Sequence, residues 1–277
     1  MELYNAVENN NTEEVKRLLK RDDIDVNWQY NGWYNATAFH CACVNGNIQI
    51  VKLLIEDKRV CVNQTTSTNA TPLNVACAYC HIDTVKLLMD DERVNVNQVD
   101  LGGRTPFLIA CAFGHSHIVK LMMNYGKLDV NIHEQGKIPL HFSINHLDVF
   151  RLLVEDARVN VNSLNEHGQT ILHVICETKT EKLGLVKILF SSGRLLYTSH
   201  KDKKGYTAKD LSEMNGDKQV VSLIEKYENQ QYKMVHDLRK ELKLKSITNQ
   251  QKFIYCSSEG QLEEIKKLLF LSRKKTK

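Results

Sequence analysis

Three segments of this 277-residue chain, TAFHCAC at residues 37–43, TPLNVAC at 71–77 and TPFLIAC at 105–111, recur 34 residues apart. Each leads into an apolar stretch of helical period: IVKLLIEDKRVCVN, TVKLLMDDERVNVN and IVKLMMNYGKLDVN. A unit this short cannot bury its own apolar face, so neighbouring units must stack and share a core. Further starts at Ile138, Thr170 and Thr207 extend the series, with successive intervals of 34, 34, 33, 32 and 37 residues. The segment ahead of the first signature, LYNAVENNNTEEVKRLLKRDDIDVN, lacks that signature and is polar where a preceding unit would pack. It reads as an N-terminal cap.

The signature resembles the T-P-L-H-x-A motif of the ankyrin repeat family, seen here at Thr71-Pro72-Leu73 and at Ile138-Pro139-Leu140-His141-Phe142-Ser143. The resemblance implies an all-α ankyrin solenoid of helix-turn-helix units joined by β-hairpin-like loops. It also implies a binding function without catalysis. The expected organisation is an array over residues 1–229 (a cap and about six units), an amphipathic helix or linker over 230–249, and a half-repeat over 250–277. That last segment repeats EEVKRLL of Glu13 as EEIKKLL at Glu263, and Cys256 falls on Ala6 under the same offset of 250 residues. It is either the opening of a second array in a longer protein or a helix pair that packs back as a C-terminal cap.

Irregular units stand out within the array. The fourth keeps only Asn145-His146 between its two helices, which shortens the first helix or tightens the turn; the fifth inserts residues near Lys179-Thr180-Glu181. Met234, Leu238 and Leu242 are spaced as on one helical face.

Cys43, Cys77, Cys111 and Cys176 all fall six residues after the signature start, where the family pattern has a small buried residue. Helices pack roughly 8–10 Å apart while a disulfide needs Cα atoms within about 7 Å, so equivalent cysteines of adjacent units are expected to stay reduced. No complementary set at zinc spacing accompanies Cys41 with Cys43 or Cys77 with Cys80, so neither metal nor cofactor is expected. There is no phosphate-binding glycine loop, no H-E-x-x-H and no G-x-S-x-G. The glycine two residues before a signature recurs as Gly103, Gly136, Gly168 and Gly205, where a hairpin needs a positive φ.

Eleven histidines invite a catalytic reading, but their positions follow the repeat. His40, His141 and His173 take the fourth signature position, and His81, His115 and His146 the turn between helices, where the resemblance implies bonds to neighbouring backbone. Asn27, Asn63, Asn97, Asn131 and Asn162 close their units after a valine and are expected to hold the turn. In many members of the family such an Asn is a substrate of an asparaginyl hydroxylase.

The residues not needed for stacking are the candidates for partner contact. By the resemblance these are the hairpin tips and the inward face of the first helix: Trp33, Tyr34 and Ala36; Ser67, Thr68, Ala70, Ala78 and Tyr79; Leu101, Gly102, Arg104, Ala112 and Phe113. Tyr125 near the end of the third unit's second helix joins them. Aromatic and Arg side chains dominate interface energetics, so Trp33, Tyr34, Tyr79, Leu101, Arg104, Phe113 and Tyr125 are the expected binding residues, aligned along the concave groove. The alternative is that Trp28 and Trp33 fold over the cap as core. Later tips are polar, with Glu134, Gln135 and Lys137, then Glu166, His167 and Gln169.

Charge divides the chain. Over residues 233–277, 12 Lys and Arg face 5 Asp and Glu, so this end supplies +7 of the net +4 and the preceding residues −3. The basic residues alternate with apolar helix positions and few aromatics accompany them, so nucleic acid is not the expected partner. No stretch is apolar enough to span a membrane, and the first residues lack a signal peptide's pattern. The expectation is a cytoplasmic protein, able to enter the nucleus, that serves as a non-enzymatic scaffold or adaptor for another protein. The alternative is the regulatory region of a larger enzyme such as a kinase or ubiquitin ligase.

Overall fold

A computed structural model describes residues 1–131, 136–178 and 182–241, without the side chains of Gln230, Gln231, Tyr232, His236 and Arg239. The half-repeat at 250–277, Leu242, the insertion at 179–181 and the tips Glu134 and Gln135 lie outside these residues. Two compact units divide the chain, Met1–Leu152 and Leu153–Lys277.

In the first unit the cap forms the helix pair α1 (Glu2–Glu8) and α2 (Thr12–Leu19). A two-residue antiparallel ladder of β1 (Gln29–Tyr30) with β2 (Ala36–Thr37) follows. Three helix pairs come next: α3 (Ala38–Asn45) with α4 (Ile48–Glu56), α5 (Pro72–Ala78) with α6 (Ile82–Asp90), and α7 (Pro106–Ala112) with α8 (Ser116–Met123). The fold is helical, as the repeat demands.

Each signature Thr starts a helix because its hydroxyl oxygen accepts a first-turn amide that has no carbonyl partner. Thr37 accepts from His40, Thr71 from Asn74 and Thr105 from Leu108, the last at 3.1 Å. The fourth signature residue closes the box by accepting the Thr amide, through His40 Nδ1 at 3.2 Å and Asn74 Oδ1 at 2.9 Å. Pro72 and Pro106 take the first helical position, where a missing N–H costs nothing. Ile138 cannot cap in this way. Helix α9 (Pro139–Phe142) there is four residues long, the shortening that the missing residues of the turn predict.

The first helices pack on one another, α3 between α1 and α5, and α7 between α5 and α9. Close approach requires small side chains, and Ala42-Cys43, Ala76-Cys77 and Ala110-Cys111 are fully buried. Burial pushes the thiols of Cys43, Cys77 and Cys111 well above the ordinary range, so they are packing groups rather than nucleophiles. The second helices turn one apolar face inward: Ile50, Val51 and Leu54 in α4, Val85 and Leu88 in α6, Ile118, Val119 and Met122 in α8.

The loops supply a second ladder. Asn27 donates to the Arg59 carbonyl at 2.8 Å and accepts the Cys61 amide at 2.8 Å. Asn63 repeats this with Arg93 and Asn95, and Asn97 with Lys127 and Asp129. These side chains therefore staple one loop to the next rather than hold their own turn. Gly103 and Gly136 have the positive φ expected before the signature, 70° and 69°, and Asn35 and Asn69 take that role in the earlier hairpins.

Helix α10 (Leu147–Glu155) crosses the boundary between the two units. The second unit contains α11 (Ile171–Glu177), α12 (Lys182–Ser191), α13 (Ala208–Met214) and α14 (Lys218–Glu241). The described part of the amphipathic helix or linker expected over 230–249 is the far end of α14, which runs unbroken past residue 229 because Tyr227, Met234, Val235 and Leu238 keep one face buried. That face lies against α12, where Phe190 stacks on Tyr227 at 4.3 Å. No described helix is long and apolar enough to cross a membrane.

Candidate protein-binding surface

All seven expected contact residues belong to the first unit, and the repeat divides most of them into two rows. One row is the hairpin tips. Ala36 N donates to Trp33 O at 2.8 Å across a turn whose central residues, Tyr34 and Asn35, have φ of 45° and 56°. This mirror-type turn matches strand twist, and it holds Tyr34 outward with 63% of its surface exposed. Trp33 is half-buried beside it. The neighbouring tip is tied on by Ser67 N to Tyr34 O at 2.7 Å, and the next by Leu101 N to Thr68 O at 2.9 Å. Leu101 is the most exposed of the row, and Lys137 Nζ reaches the carbonyl of Gly102.

Arg104 closes this row and is already engaged. Buried Asp100 accepts its backbone amide at 2.9 Å and its guanidinium at 2.8 and 2.7 Å. Half of the Arg104 side chain remains exposed, held in one orientation. Ala36, also at a tip position, is fully buried and offers no contact surface.

The second row lies at the other end of the first helices, about 10 Å away for seven residues at 1.5 Å each. Tyr79 and Phe113 occupy the same position in successive units and are 56% exposed each. Each ring stacks on an imidazole two residues later, Tyr79 on His81 and Phe113 on His115, with interplanar angles of 6° and 13°. The imidazoles are themselves fixed, since Nε2 of His81 meets the Val44 carbonyl at 2.6 Å and Nε2 of His115 that of Ala78 at 3.1 Å. Two exposed aromatic faces are thus braced before any partner arrives.

Trp28 is not in either row. It is half-buried and packs edge-on against Tyr4 of the cap, as the alternative expects for Trp28, while the neighbouring Tyr30 lies 4.9 Å from Tyr4 and stays exposed. Tyr125 lies two residues past the end of α8, half-buried, and none of these bonds ties it to the rows.

His40, beneath this surface, is a structural histidine. Burial lowers His40 to about 4, so it stays neutral, with Nδ1 on Thr37 and Nε2 on the Ala70 carbonyl at 3.1 Å. Among the described residues no three His, Cys, Asp or Glu side chains gather to hold a metal.

The periodicity, the capped first helices and the loop ladder are those of one family, and the family model for ankyrin repeats (3 copies) matches residues 3–100 and 92–165. The chain belongs to the ankyrin repeat family. The ankyrin repeat domain of Bcl-3, described as a unique member of the IkappaB protein family, is 21% identical, with a TM-score of 0.71 over 80% of this chain and 96% of that one. The human ASB11 ankyrin repeat domain is 22% identical, with a TM-score of 0.60 over 76% of this chain and 91% of that one. These likenesses are of fold. No curated protein matches this ankyrin chain in sequence.

Two features of the ankyrin surface escape the sequence reading. Asp57 with Arg59 and Asp91 with Arg93 form ion pairs at 2.7 Å, and the arginines reach back to carbonyls of the preceding unit, Arg59 to Leu19 at 2.7 Å and Arg93 to Ile55 at 2.5 Å. Each guanidinium holds its carboxylate below the usual range. Their signal was the D-x-R-V step repeated 34 residues apart. The second feature is the ring-on-imidazole brace, announced by Tyr79-Cys80-His81 and Phe113-Gly114-His115.

Proposed function

We propose that this ankyrin array is a non-enzymatic scaffold or adaptor that binds another protein through the face carrying its hairpin tips and first-helix ends, within the cytoplasm or nucleus. The observation that carries this reading is the pair Tyr79 and Phe113. Two large rings remain exposed in successive units, although each is already immobilised by a histidine that is bonded to the unit before. Rings fixed in advance lose little conformational freedom on binding, which favours them as interface anchors. Tyr34, Leu101, Arg104 and half-buried Trp33 supply the hairpin-tip row.

Residues 1–277 and a Trp33→Ala/Tyr79→Ala/Phe113→Ala variant of equal helicity are compared by capture from native cell extract. A protein retained by the parent and lost by the variant supports the adaptor and this face. Equal retention by both sinks the aromatic surface and moves the search to other faces of the array.

A further inference from the structure

The chain holds three Asn-Gly pairs: Asn31-Gly32, Asn45-Gly46 and Asn215-Gly216. Such a pair is able to close on itself, because the glycine amide nitrogen follows the asparagine directly and no Cβ of its own crowds the approach to the side-chain carbonyl carbon. In a folded chain the reaction needs two freedoms. The glycine amide must be released from hydrogen bonding, and the asparagine side chain must be able to turn towards it.

The repeat removes both freedoms from two of the pairs. Asn45 ends α3, and its side-chain amide donates to the Val7 carbonyl of the cap at 3.2 Å, while Gly46 N donates to Ala42 O at 3.0 Å. Asn215 follows α13 in the same way. Its side chain donates to the Cys176 carbonyl at 2.9 Å, and Gly216 N donates to Glu213 O at 3.0 Å. In each, the asparagine ties two units together and the glycine amide closes a helix end.

Asn31-Gly32 has neither restraint. The pair forms the centre of the turn that Trp33 N closes on Tyr30 O at 3.2 Å, and both residues are exposed. Among the described residues, neither the Asn31 side chain nor the Gly32 amide has a hydrogen-bond partner. The turn also requires its glycine, since a Cβ at Gly32 would lie 2.4 Å from Cζ of Tyr30. The element that folds the first hairpin is thus the one Asn-Gly pair among the three left open to cyclise.

We propose that Asn31 is a modification site, which closes to a succinimide with Gly32 and opens to aspartate and isoaspartate. Hydroxide removes the Gly32 amide proton, and the nitrogen attacks Cγ of Asn31. The new C–N bond forms as the bond from Cγ to Nδ2 breaks, and the departing nitrogen takes a proton from water and leaves as ammonia. Water then opens the ring at either carbonyl, and nothing is oxidised or reduced. The product places a carboxylate in a segment, residues 28–37, that carries no charged side chain. It stands two residues before Trp33, and the isoaspartyl form adds one carbon to the backbone of the turn. The modification is independent of whether the aromatic face binds a partner.

The test is incubation of the folded full chain in mildly alkaline buffer, followed by digestion and chromatographic separation of the aspartyl and isoaspartyl peptides, counted by mass spectrometry at all three pairs. Asn31 is expected to convert about ten-fold faster than Asn45 and Asn215, as free approach of the reacting atoms demands. Isoaspartate is expected among its products, because direct hydrolysis of the side chain cannot give it. In guanidinium chloride the three pairs should convert at similar rates, which assigns the difference to the fold. Equal conversion of the three in the folded chain, an Asn31 product without isoaspartate, or the same preference for Asn31 in the unfolded chain would overturn the assignment.

Discussion

Asn63 donates its side-chain amide to the carbonyl of Arg93 at 2.6 Å, thirty residues ahead, and so joins the loop of one ankyrin unit to that of the next. The same side chain accepts the Asn95 amide at 2.8 Å, copying the two-way pairing of a strand. Asn63→Ala removes both bonds and leaves the part-buried Arg93 carbonyl without its partner, while the exposed Asn95 amide turns to water, at a cost of about 1 kcal/mol. Urea denaturation checks this, with a lowered midpoint as the expected result. Asn63→Asp keeps the acceptor and loses only the donor, so it should lie between the two.

Thr84 stands where Ile50 and Ile118 fill the core of the adjacent units, one repeat before and one after. Its hydroxyl is buried without a partner. Thr84→Val keeps the shape and removes the unpaired oxygen, so the variant should be more stable by about 1 kcal/mol. Thermal unfolding at equal concentration measures it, and a lower melting temperature would show that the hydroxyl is satisfied in solution.

His40 ties stability to pH. Its folded-state value, lowered to about 4 by burial, lies below the ordinary 6.5, so the unfolded chain binds the proton more readily. The neutral form's contribution is complete above pH 6.5 and is lost as pH falls towards 4, up to about 3 kcal/mol at 1.36 kcal/mol per unit. His40→Asn copies the neighbouring unit, where Asn74 Oδ1 accepts the Thr71 amide at 2.9 Å, and removes the titration. Stability measured at pH 7 and pH 5 should fall for the parent and change less for the variant.

Much of this architecture was legible because stacking imposes a period. Small residues recur at Cys43, Cys77 and Cys111 since first helices must touch, and caps recur at Thr37, Thr71 and Thr105 since each helix begins again from a loop. The loop staple was legible only as a conserved spacing of asparagines; that Asn63 bonds the following unit depends on the separation of loops, which no single unit encodes. The division of the contact residues into two rows was hidden for a related reason. Tyr34 and Tyr79 are both exposed, but one sits before its neighbouring helix and the other after, so helix length rather than residue type separates them. Continuity of α14 past Tyr227 was likewise masked, as the repeat signature ends while the buried face of Met234 and Leu238 continues.

The two braced rings give the last prediction. Tyr79 and Phe113 stand one repeat apart and stack on separate histidines, so their contributions to a shared partner should be nearly additive. Each change to Ala should weaken binding by about 1–2 kcal/mol, roughly ten-fold in Kd, with little effect on stability because more than half of each ring is already in water. His81→Ala separates bracing from contact. It removes the support of Tyr79 and the bond to the Val44 carbonyl while leaving the ring itself, so a loss of affinity beyond the loss of stability reports pre-organisation. A double-mutant cycle of Tyr79→Ala with His81→Ala, read by calorimetric titration with the captured partner, should show the coupling; strict additivity of the two would mean that the imidazole supports the fold alone.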